Sequence, residues 1–445
     1  MTVHIKVKPH TIFFMMGFSQ CGMTTFAKAL HEELSFLMLQ RAGIDHASAY
    51  LSQEAEAYRL NPDLIKGSFR HSELKNSAVE AILKQIDTLT EHSVNKEFVV
   101  VDSNFVVDDL FLIKDIEEGI KSKGYKSHFI IFDHDDFPDN EDNKTERRFF
   151  KKRIPSQLTA DTLDNATFIR KLPAVNWSED LKVEIEDLKV YYRCMLPLGS
   201  DRRVAIIGDT HEHVDALKHM LSELKNRWPG IIPILVGDYL DKGGQTAEMV
   251  KFIKEFVDAG GKLVHGNHEY SNYRRILAQR AGEEIPPNEH LTASPVLLSN
   301  PELADIVVDI YENHSTPFLK VFGDNCSTIY VTHAPCKERY IGKLHNKALQ
   351  KQRNVAGDRS KDYRLSYEQA FKEADEWKPV HVFGHISHGS NEIEYKNKIF
   401  LDTGAVYGYH LTSVIMDGKG NRSVVQFKTE SLVKKSLPDN LHLPL

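Results

Sequence analysis

The stretch RVAIIGDTHEH (203–213) decides the fold of the second half of this 445-residue chain. It is a short apolar run that ends in a cluster of Asp and His, and the pattern returns in IIPILVGDYLDKG (231–243) and KLVHGNHE (262–269). Helical patterns separate the three segments, the first reaching about Arg227 and the second covering 245–258. Strands that alternate with helices predict an α/β domain. In open α/β sheets, functional sites lie at the carboxyl ends of the strands.

Three later segments continue the pattern and set the size of this domain: STIYVTH (327–333), VHVFGH (380–385) and KIFLDTG (398–404). The strongest linker signal, PLGSDRR (197–203), lies directly before the first strand. We therefore predict an α/β domain over 1–196, an α/β sandwich over 203–430 and a C-terminal tail over 431–445.

The polar clusters at these strand ends have the composition of a binuclear metal site. Two divalent cations about 4 Å apart need a bridging carboxylate together with oxygen and imidazole ligands from converging strands. A single His or Asp after a strand is ordinarily a turn or surface residue, but an ordered series of them predicts a metal site. The candidate residues are Asp209, His211, Asp238, Asp241, Asn267, His268, His333, His385 and His388.

At these residues the sequence resembles the calcineurin-like binuclear metallophosphoesterase superfamily, whose blocks read GDxHG, GDxxDRG, GNHE, a later His and GH. The resemblance covers about 204–428 and implies an enzyme. It implies that Asp209 and His211 bind a first metal, that Asp238 bridges, and that Asn267, His333 and His385 bind a second. It further implies that His268, supported by Asp241, acts as the leaving-group acid or contacts phosphate, with Asn267, Lys242 and Asp402 at the substrate phosphate.

Two residues depart from the superfamily pattern. Glu212 stands where the superfamily usually has Gly, and Lys242 stands where it usually has Arg. Lysine keeps the positive charge but loses the planar, bidentate fork of arginine. His388 is either a residue that supports the ligands or a plain loop residue.

The N-terminal half also alternates strands and helices. Apolar runs over 11–16, 98–102 and 128–133 predict strands of a parallel sheet buried on both faces, and 23–41 and 178–193 have helical patterns. MGFSQCGMTTFAKAL (16–30) lies between a strand and a helix, the context of a phosphate-binding P-loop. Gly17, Gly22 and Thr24 fit that motif, but Met23 occupies the position of the phosphate-binding lysine. A thioether cannot balance phosphate charge, whereas the backbone N–H groups of such a loop still bind anions.

The order of these motifs resembles the bacterial and phage polynucleotide kinase–phosphatases. The resemblance covers about 10–195, with Asp102 and Asn104 at a strand end and a basic lid-like segment, RRFFKKRIP (147–155). Gln53 or Glu54 stands where that family has its general-base Asp. The N-terminal domain is therefore an active kinase that uses ATP or GTP with Mg²⁺, a relic that binds a nucleotide or an RNA end, or an unrelated P-loop-like domain.

The leading functional hypothesis is a two-metal phosphatase that removes a 3′-phosphate or a 2′,3′-cyclic phosphate from RNA or DNA ends. The same motifs also serve protein Ser/Thr phosphatases and dinucleoside-tetraphosphate hydrolases, and the N-terminal half could be a module that only binds nucleic acid. We expect Mn²⁺, with Fe, Zn²⁺ or Ni²⁺ as the other candidates. If a ligase seals the ends, we expect it to be a separate protein. The oligomeric state stays open.

Composition limits these hypotheses. The net charge is −7, so the chain has no global basic character, although a local cationic groove would suffice for a nucleic-acid end. The sequence has no apolar run long enough to span a bilayer and no secretory signal. The four cysteines are scattered and include no CxxC pair, which argues for a reducing compartment and against a thiolate zinc site. We expect a cytoplasmic enzyme.

Overall fold

The structure is a computed structural model, and it describes residues 2–16, 22–42, 48–52, 86, 98–105, 120–121, 123–133, 166–170, 172, 177–186, 190, 193–285, 287–323, 328–344, 346–354, 371–389 and 393–433. The chain divides into two compact units, Met1–Tyr192 and Arg193–Leu445. This division precedes the linker predicted at 197–203, because Met195–Leu198 forms a strand that pairs within the second unit.

Parallel strands build the first unit. Their bounds are β1 Val3–Val7, β2 Thr11–Met16, β3 Ser48–Ser52, β4 Phe98–Phe105, β5 Lys126–Phe132, β6 Ala166–Ile169 and β7 Leu181–Ile185. Five of these strands form a sheet in the order β3-β4-β2-β5-β6, and all of its pairs are parallel. Helix α1, Met23–Ala42, follows β2. Every residue of the central strand β2 is buried, as a continuous apolar run predicts. The predicted strands and the first helix are confirmed.

The helix predicted over 178–193 is confirmed at 178–180 and at the described residues Val190 and Arg193, but it is wrong over 181–185. Helix α2 covers only Trp177–Asp180, and β7 follows it and pairs in parallel with β1. Leu181 and Ile185 are buried, whereas Lys182 and Glu184 are exposed. This two-residue alternation is that of a strand with one buried face, and parallel pairing with β1 supplies its backbone hydrogen bonds.

Two sheets build the second unit. The first contains β9 Arg203–Ile207, β10 Ile232–Leu235, β11 Lys262–Val264, β12 Ser315–Thr316, β18 His410–Asp417 and β19 Arg422–Lys428, in the order β12-β11-β10-β9-β18-β19. The second contains β8 Met195–Leu198, β13 Leu319–Gly323, β14 Thr328–Val331, β15 Val380–Phe383, β16 Glu394–Tyr395 and β17 Lys398–Phe400, in the order β16-β17-β15-β14-β13-β8. The pairs among β9–β12 are parallel, and β18 joins β9 in antiparallel orientation.

The helices of the second unit are α3 Val214–Arg227, α4 Thr246–Asp258, α5 Asn267–Arg280, α6 Ser294–Ser299, α7 Pro301–Asp309 and α8 Asn346–Arg353. A π-helical turn, Ile310–His314, follows α7, and a 3-10 turn covers Glu338–Tyr340. None of the helices in the described ranges is long and apolar enough to cross a membrane.

Alternate residues of β9 pack on opposite faces of its sheet. Val204 and Ile206 contact the core between the two sheets, whereas Ala205 and Ile207 contact the core beneath the helices. A two-residue period produces this division. The second unit is therefore an α/β sandwich, as predicted, and the ends of β9, β10, β11, β14 and β15 carry the predicted motif residues.

Candidate metal centre

The loops after these strands hold unusual backbone conformations. Positive φ angles occur at eight non-glycine residues in the described ranges, and six of the eight belong to the motifs. These six are His211, Glu212, Asp238, Asp241, Lys242 and His385. Such conformations are uncommon for residues with side chains and persist where surrounding contacts hold them, often at functional sites.

Glycines let the strand ends approach closely. A Cβ atom on Gly237 would lie 2.7 Å from the Cα atom of Gly266, so the chain after β10 meets the chain after β11 backbone to backbone. A Cβ atom on Gly384 would lie 1.9 Å from Oδ1 of Asp209. Side chains at these positions would separate the motifs, which explains why glycine precedes Asp238 and His385.

Two groups of potential ligands share one carboxylate. The ligand atoms of His211, Asp238 and His268 lie within 4.8 Å of one another, and so do those of Asp238, His333 and His385. The Asp238 carboxylate therefore lies between two clusters of imidazoles. Its Oδ1 atom is 3.3 Å from Nε2 of His333, and its Oδ2 atom is 3.9 Å from Nε2 of His211.

Asn267 completes the second cluster. Its Oδ1 atom is 2.9 Å from Nε2 of His333, and that nitrogen is 3.1 Å from Nδ1 of His385. Asp209 belongs to neither group of three, but its Oδ2 atom accepts a hydrogen bond of 3.0 Å from the backbone N–H of His385. All six predicted ligands thus lie in contact with one another or with a member of the two clusters.

Backbone carbonyls orient two of the imidazoles. Nδ1 of His211 is 3.1 Å from the carbonyl oxygen of Leu240, and Nδ1 of His333 is 3.0 Å from that of Val236. In each ring the proton then belongs on Nδ1, which leaves the lone pair of Nε2 directed at the cluster. Metal-binding histidines are commonly held in this way.

The electrostatics of the site favour bound cations. Burial raises the pKa of Asp209 well above its usual range, and the nearby carboxylates of Asp402 and Asp238 raise it further. Oδ1 of Asp209 is buried and has no hydrogen-bond partner in the described part of the chain. Burial and then His333 lower the pKa of His385 to about 3, so its imidazole is neutral. Buried acids with unpaired oxygens next to neutral imidazoles fit divalent cations.

His268 is held by a buried carboxylate. Its Nδ1 atom is 2.7 Å from Oδ2 of Asp241, and Asp241 also accepts hydrogen bonds from the Asn272 side chain at 2.8 Å and the Ala293 backbone at 2.7 Å. Burial lowers the pKa of His268, but the Asp238 carboxylate and the bond to Asp241 outweigh that effect and raise it overall. The arrangement suits a proton donor. Its ring is also part of the first cluster.

Two buried glutamates accept hydrogen bonds from the backbone of these loops. Glu212 is fully buried, and its Oε1 atom accepts hydrogen bonds of 2.9 Å from the Asp241 backbone and 2.8 Å from the Thr246 hydroxyl. Glu269 accepts 2.8 and 2.9 Å bonds from the backbone N–H groups of Asp238 and Leu240. Burial, followed by the Asp238 charge, raises the pKa of Glu269 to about 8. Sequence reasoning assigned no role to Glu269, although its place in GNHE was a signal.

The candidate phosphate contacts surround the clusters. The Lys242 ammonium is 2.8 Å from Nε2 of His211. Asp402 is buried and accepts a 2.6 Å hydrogen bond from the Ser387 hydroxyl. His388 is buried next to Asp402, and its backbone N–H donates to the Asp402 carbonyl at 3.0 Å. The structure thus brings Lys242 next to His211 and Asp402 next to Asp209, and it places His388 in contact with Asp402.

The N-terminal candidates are described only in part. Gly17, Gln53, Glu54 and the basic segment 147–155 lie outside the described residues. Gly22 has a φ of 84° directly before α1, Thr24 is exposed on the first turn of α1, and Asp102 is buried in β4. Met23 is only 4% exposed. Its side chain is therefore part of the core.

Comparisons with known proteins agree with this geometry for part of the chain. Residues 202–401 match the family described as calcineurin-like phosphoesterase. That family uses divalent metal ions, and the two clusters are candidate sites for them. No curated protein gave a significant match.

Three solved structures are similar to parts of the chain. A putative diadenosine tetraphosphatase is 20% identical, with 52% of this chain and 97% of that chain covered and a TM-score of 0.31. A metallophosphoesterase from Sphaerobacter thermophilus is 18% identical, with 52% and 89% covered and a TM-score of 0.31. A protein serine/threonine phosphatase from Saccharomyces cerevisiae is 13% identical, with 56% and 88% covered and a TM-score of 0.34.

Proposed function

We propose that this chain, whose C-terminal half contains a calcineurin-like metallophosphoesterase domain, removes a 3′-phosphate or a 2′,3′-cyclic phosphate from RNA or DNA ends. At the coarser level, the protein is a metal-dependent phosphoester hydrolase. The observation that carries the chemistry is the position of Asp238, whose carboxylate is common to both clusters of potential ligands. The nucleic-acid substrate is supported by the P-loop-like and basic motifs that precede this domain in the sequence.

The residues present fit two divalent cations. Asp209, His211 and Asp238 would hold the first, and Asp238, Asn267, His333 and His385 would hold the second. When bound, the two ions would supply Lewis-acid activation of water and neutralise charge on the phosphoryl group. Carboxylate, amide and imidazole ligands favour Mn²⁺ in our proposal, and Fe, Zn²⁺ and Ni²⁺ are compatible with the same set. The Lys242 ammonium lies 2.8 Å from Nε2 of His211 and would be available to the substrate phosphate if that nitrogen held the first ion.

His268 would give a proton to the leaving oxygen. Asp241 holds its Nδ1 atom at 2.7 Å, which fixes the ring and leaves Nε2 directed at the cluster. Asn267 and Lys242 would contact the phosphate. The Asp402 carboxylate lies close enough to Asp209 to raise the pKa of Asp209. The side chains of this chain would thus orient the phosphate, give a proton to the leaving oxygen and place positive charge beside the reacting group.

For the N-terminal unit, we infer a module that binds a nucleotide or a nucleic-acid end but transfers no phosphoryl group. The support is Met23, which is buried at the position where kinases place a cation. Labelled ATP and a 5′-hydroxyl oligonucleotide test this inference, and we expect little or no transfer. Robust transfer that is lost on changing Thr24 or Asp102 would overturn it.

The phosphatase proposal is tested by a matrix of metals and substrates. We expect a 3′-phosphorylated oligonucleotide to be hydrolysed with a higher kcat/KM than a phosphopeptide or diadenosine tetraphosphate. Asp238→Ala should abolish every activity, whereas the exposed Asp201→Ala is a matched control that should change none. More than about 10% residual activity in Asp238→Ala would contradict the two-metal site, because loss of a supporting group alone typically costs about 10–100-fold. Preference for the phosphopeptide would contradict the nucleic-acid substrate.

A further inference from the structure

Next to the metal centre, aromatic rings and an arginine are stacked in layers. The His265 and Tyr311 rings lie 4.2 Å apart at an angle of 16°, and the Tyr311 and Tyr273 rings lie 4.4 Å apart at 16°. Tyr270 lies 6.1 Å from Tyr311, and the Arg353 guanidinium lies 3.3 Å from the centroid of the Tyr270 ring. We call these five residues the arginine–tyrosine platform.

The platform adjoins the second ligand cluster. His265 precedes Asn267 by two residues, and Tyr270 follows it by three on helix α5. Residues three apart share one face of a helix and are separated by about 4.5 Å along its axis. Arg353, at the end of α8, is distant in sequence and reaches this face through the fold.

Two arginines lie at the platform. Arg353 lies on the Tyr270 ring, and Arg193 donates a 2.7 Å hydrogen bond to the backbone carbonyl of Glu312. One carboxylate, Glu312, accepts a 2.8 Å hydrogen bond from the Tyr273 hydroxyl. The platform therefore combines flat rings with one guanidinium group.

The central ring of the platform is buried, whereas the residues around it are partly exposed. Tyr311 is buried, and stacking against His265 and Tyr273 secures the π-helical turn. Tyr270 and Arg353 are only partly buried. The Arg353 guanidinium also donates a hydrogen bond to the Tyr311 hydroxyl, which holds this planar group over the Tyr270 ring. Such planes stack nucleobases in proteins that bind single strands.

We propose that the arginine–tyrosine platform binds the nucleobase of the substrate next to the scissile phosphate. This inference rests on the proposed function and narrows it to a substrate that carries a base. The base belongs to a nucleic-acid end or to a dinucleoside polyphosphate, and the two sources share the stacking chemistry.

The test measures kcat/KM for wild type, Arg353→Gln, Tyr270→Ala and Tyr270→Phe. Three substrates carry a related phosphate: a 3′-phosphorylated oligonucleotide, the same oligonucleotide with an abasic terminal sugar, and glycerol phosphate. We expect Arg353→Gln and Tyr270→Ala to lose roughly 5- to 150-fold on the base-bearing end, mostly through KM, because one stacked base is typically worth that much. The other two substrates should change less than about twofold, and Tyr270→Phe should resemble wild type. Arg280→Ala, near the far end of α5, is the matched control.

The outcomes separate this inference from the proposed function. If the platform variants lost kcat/KM equally on glycerol phosphate, or if the wild type had the same KM for base-bearing and abasic ends, the platform would not bind the base. Either result would leave the proposed phosphatase function unaffected. Absence of hydrolysis of every nucleic-acid end would overturn the proposed function itself. Diadenosine tetraphosphate identifies the source of the base: a platform-dependent KM confined to it assigns the site to nucleoside polyphosphates. A phosphopeptide that loses activity in Arg353→Gln by the same factor would contradict base recognition.

Discussion

Adding one methyl group at Gly384 should disable the metal centre without unfolding the protein. In Gly384→Ala the new Cβ atom would lie 1.9 Å from Oδ1 of Asp209 and 2.8 Å from the Val236 side chain. Cβ atoms essentially never approach another atom more closely than 3.0 Å. The Asp209 oxygen must therefore move by about 1.1 Å, the difference between 3.0 and 1.9 Å.

A displacement of this size is large for a metal ligand. Ligand distances are typically held within about 0.2 Å of their preferred values, and a misplacement of about 1 Å can cost 10²-fold in rate. Asp209 would also lose its 3.0 Å hydrogen bond from the His385 backbone. We expect kcat to fall by about 100-fold or more. Overpacking costs about 1–3 kcal/mol, which most domains tolerate.

The assay combines phosphatase rates, metal content by mass spectrometry and thermal melting. Gly244→Ala is the matched control, because Gly244 has a φ of 77° but no atom within 4 Å of a Cβ. That variant adds backbone strain of about 1–2 kcal/mol without a clash, so it should keep its metals and its activity. Gly384→Ala with full metal content and more than about a third of the wild-type rate would refute the placement of Asp209 at the site.

Three further predictions concern single side chains. His268→Ala should slow turnover about 10²–10⁴-fold on alkyl phosphates and less on nitrophenyl phosphate, whose leaving group needs no proton. If steady-state assays showed an equal loss on both substrates, His268 would instead be a residue that positions the phosphate. Glu212→Ala removes the acceptor for the Asp241 N–H and the Thr246 hydroxyl, which should lower the free energy of unfolding by about 1–3 kcal/mol. Glu212→Gln should be close to wild type. An unchanged urea midpoint in Glu212→Ala would contradict this prediction. Burial lowers the pKa of His128 to about 4, so as the pH falls the unfolded chain takes up the His128 proton before the folded protein does. The free energy of unfolding contributed by His128 is present above pH 6.5 and should fall by up to about 3 kcal/mol as the pH drops to 4. Urea titrations should show that His128→Gln lacks this part of the pH dependence, and an unchanged pH dependence would disprove the burial effect.

Sequence alone was sufficient for the strands and for the candidate ligands. β9, β10, β11, β14 and β15 are short, mostly apolar runs, and a polar motif follows each of them. Both signals are local, so they can be recognised without the partners of each strand. The convergence of Asp209, Asp238 and Asn267 follows from parallel pairing, because the carboxyl ends of parallel strands meet at one edge of a sheet. His333 and His385 follow strands of the second sheet, so only the packing of the two sheets brings them beside the first three residues.

The tertiary structure decided what depends on partners remote in the chain. Residues 181–185 form a strand because β1 lies beside them, and the preceding helix ends at Asp180 for the same reason. Met23, which the sequence places at a phosphate, is buried in the core.

The supporting contacts of the site depended on the fold in the same way. Glu212 was recognisable only as a departure from glycine until the fold placed it under Asp241. Arg353 had no signal in the sequence, because its position on Tyr270 is set by the packing of α8 near α5. A motif records which chemical groups a strand end carries, whereas the contacts that orient those groups arise only when distant segments pack together.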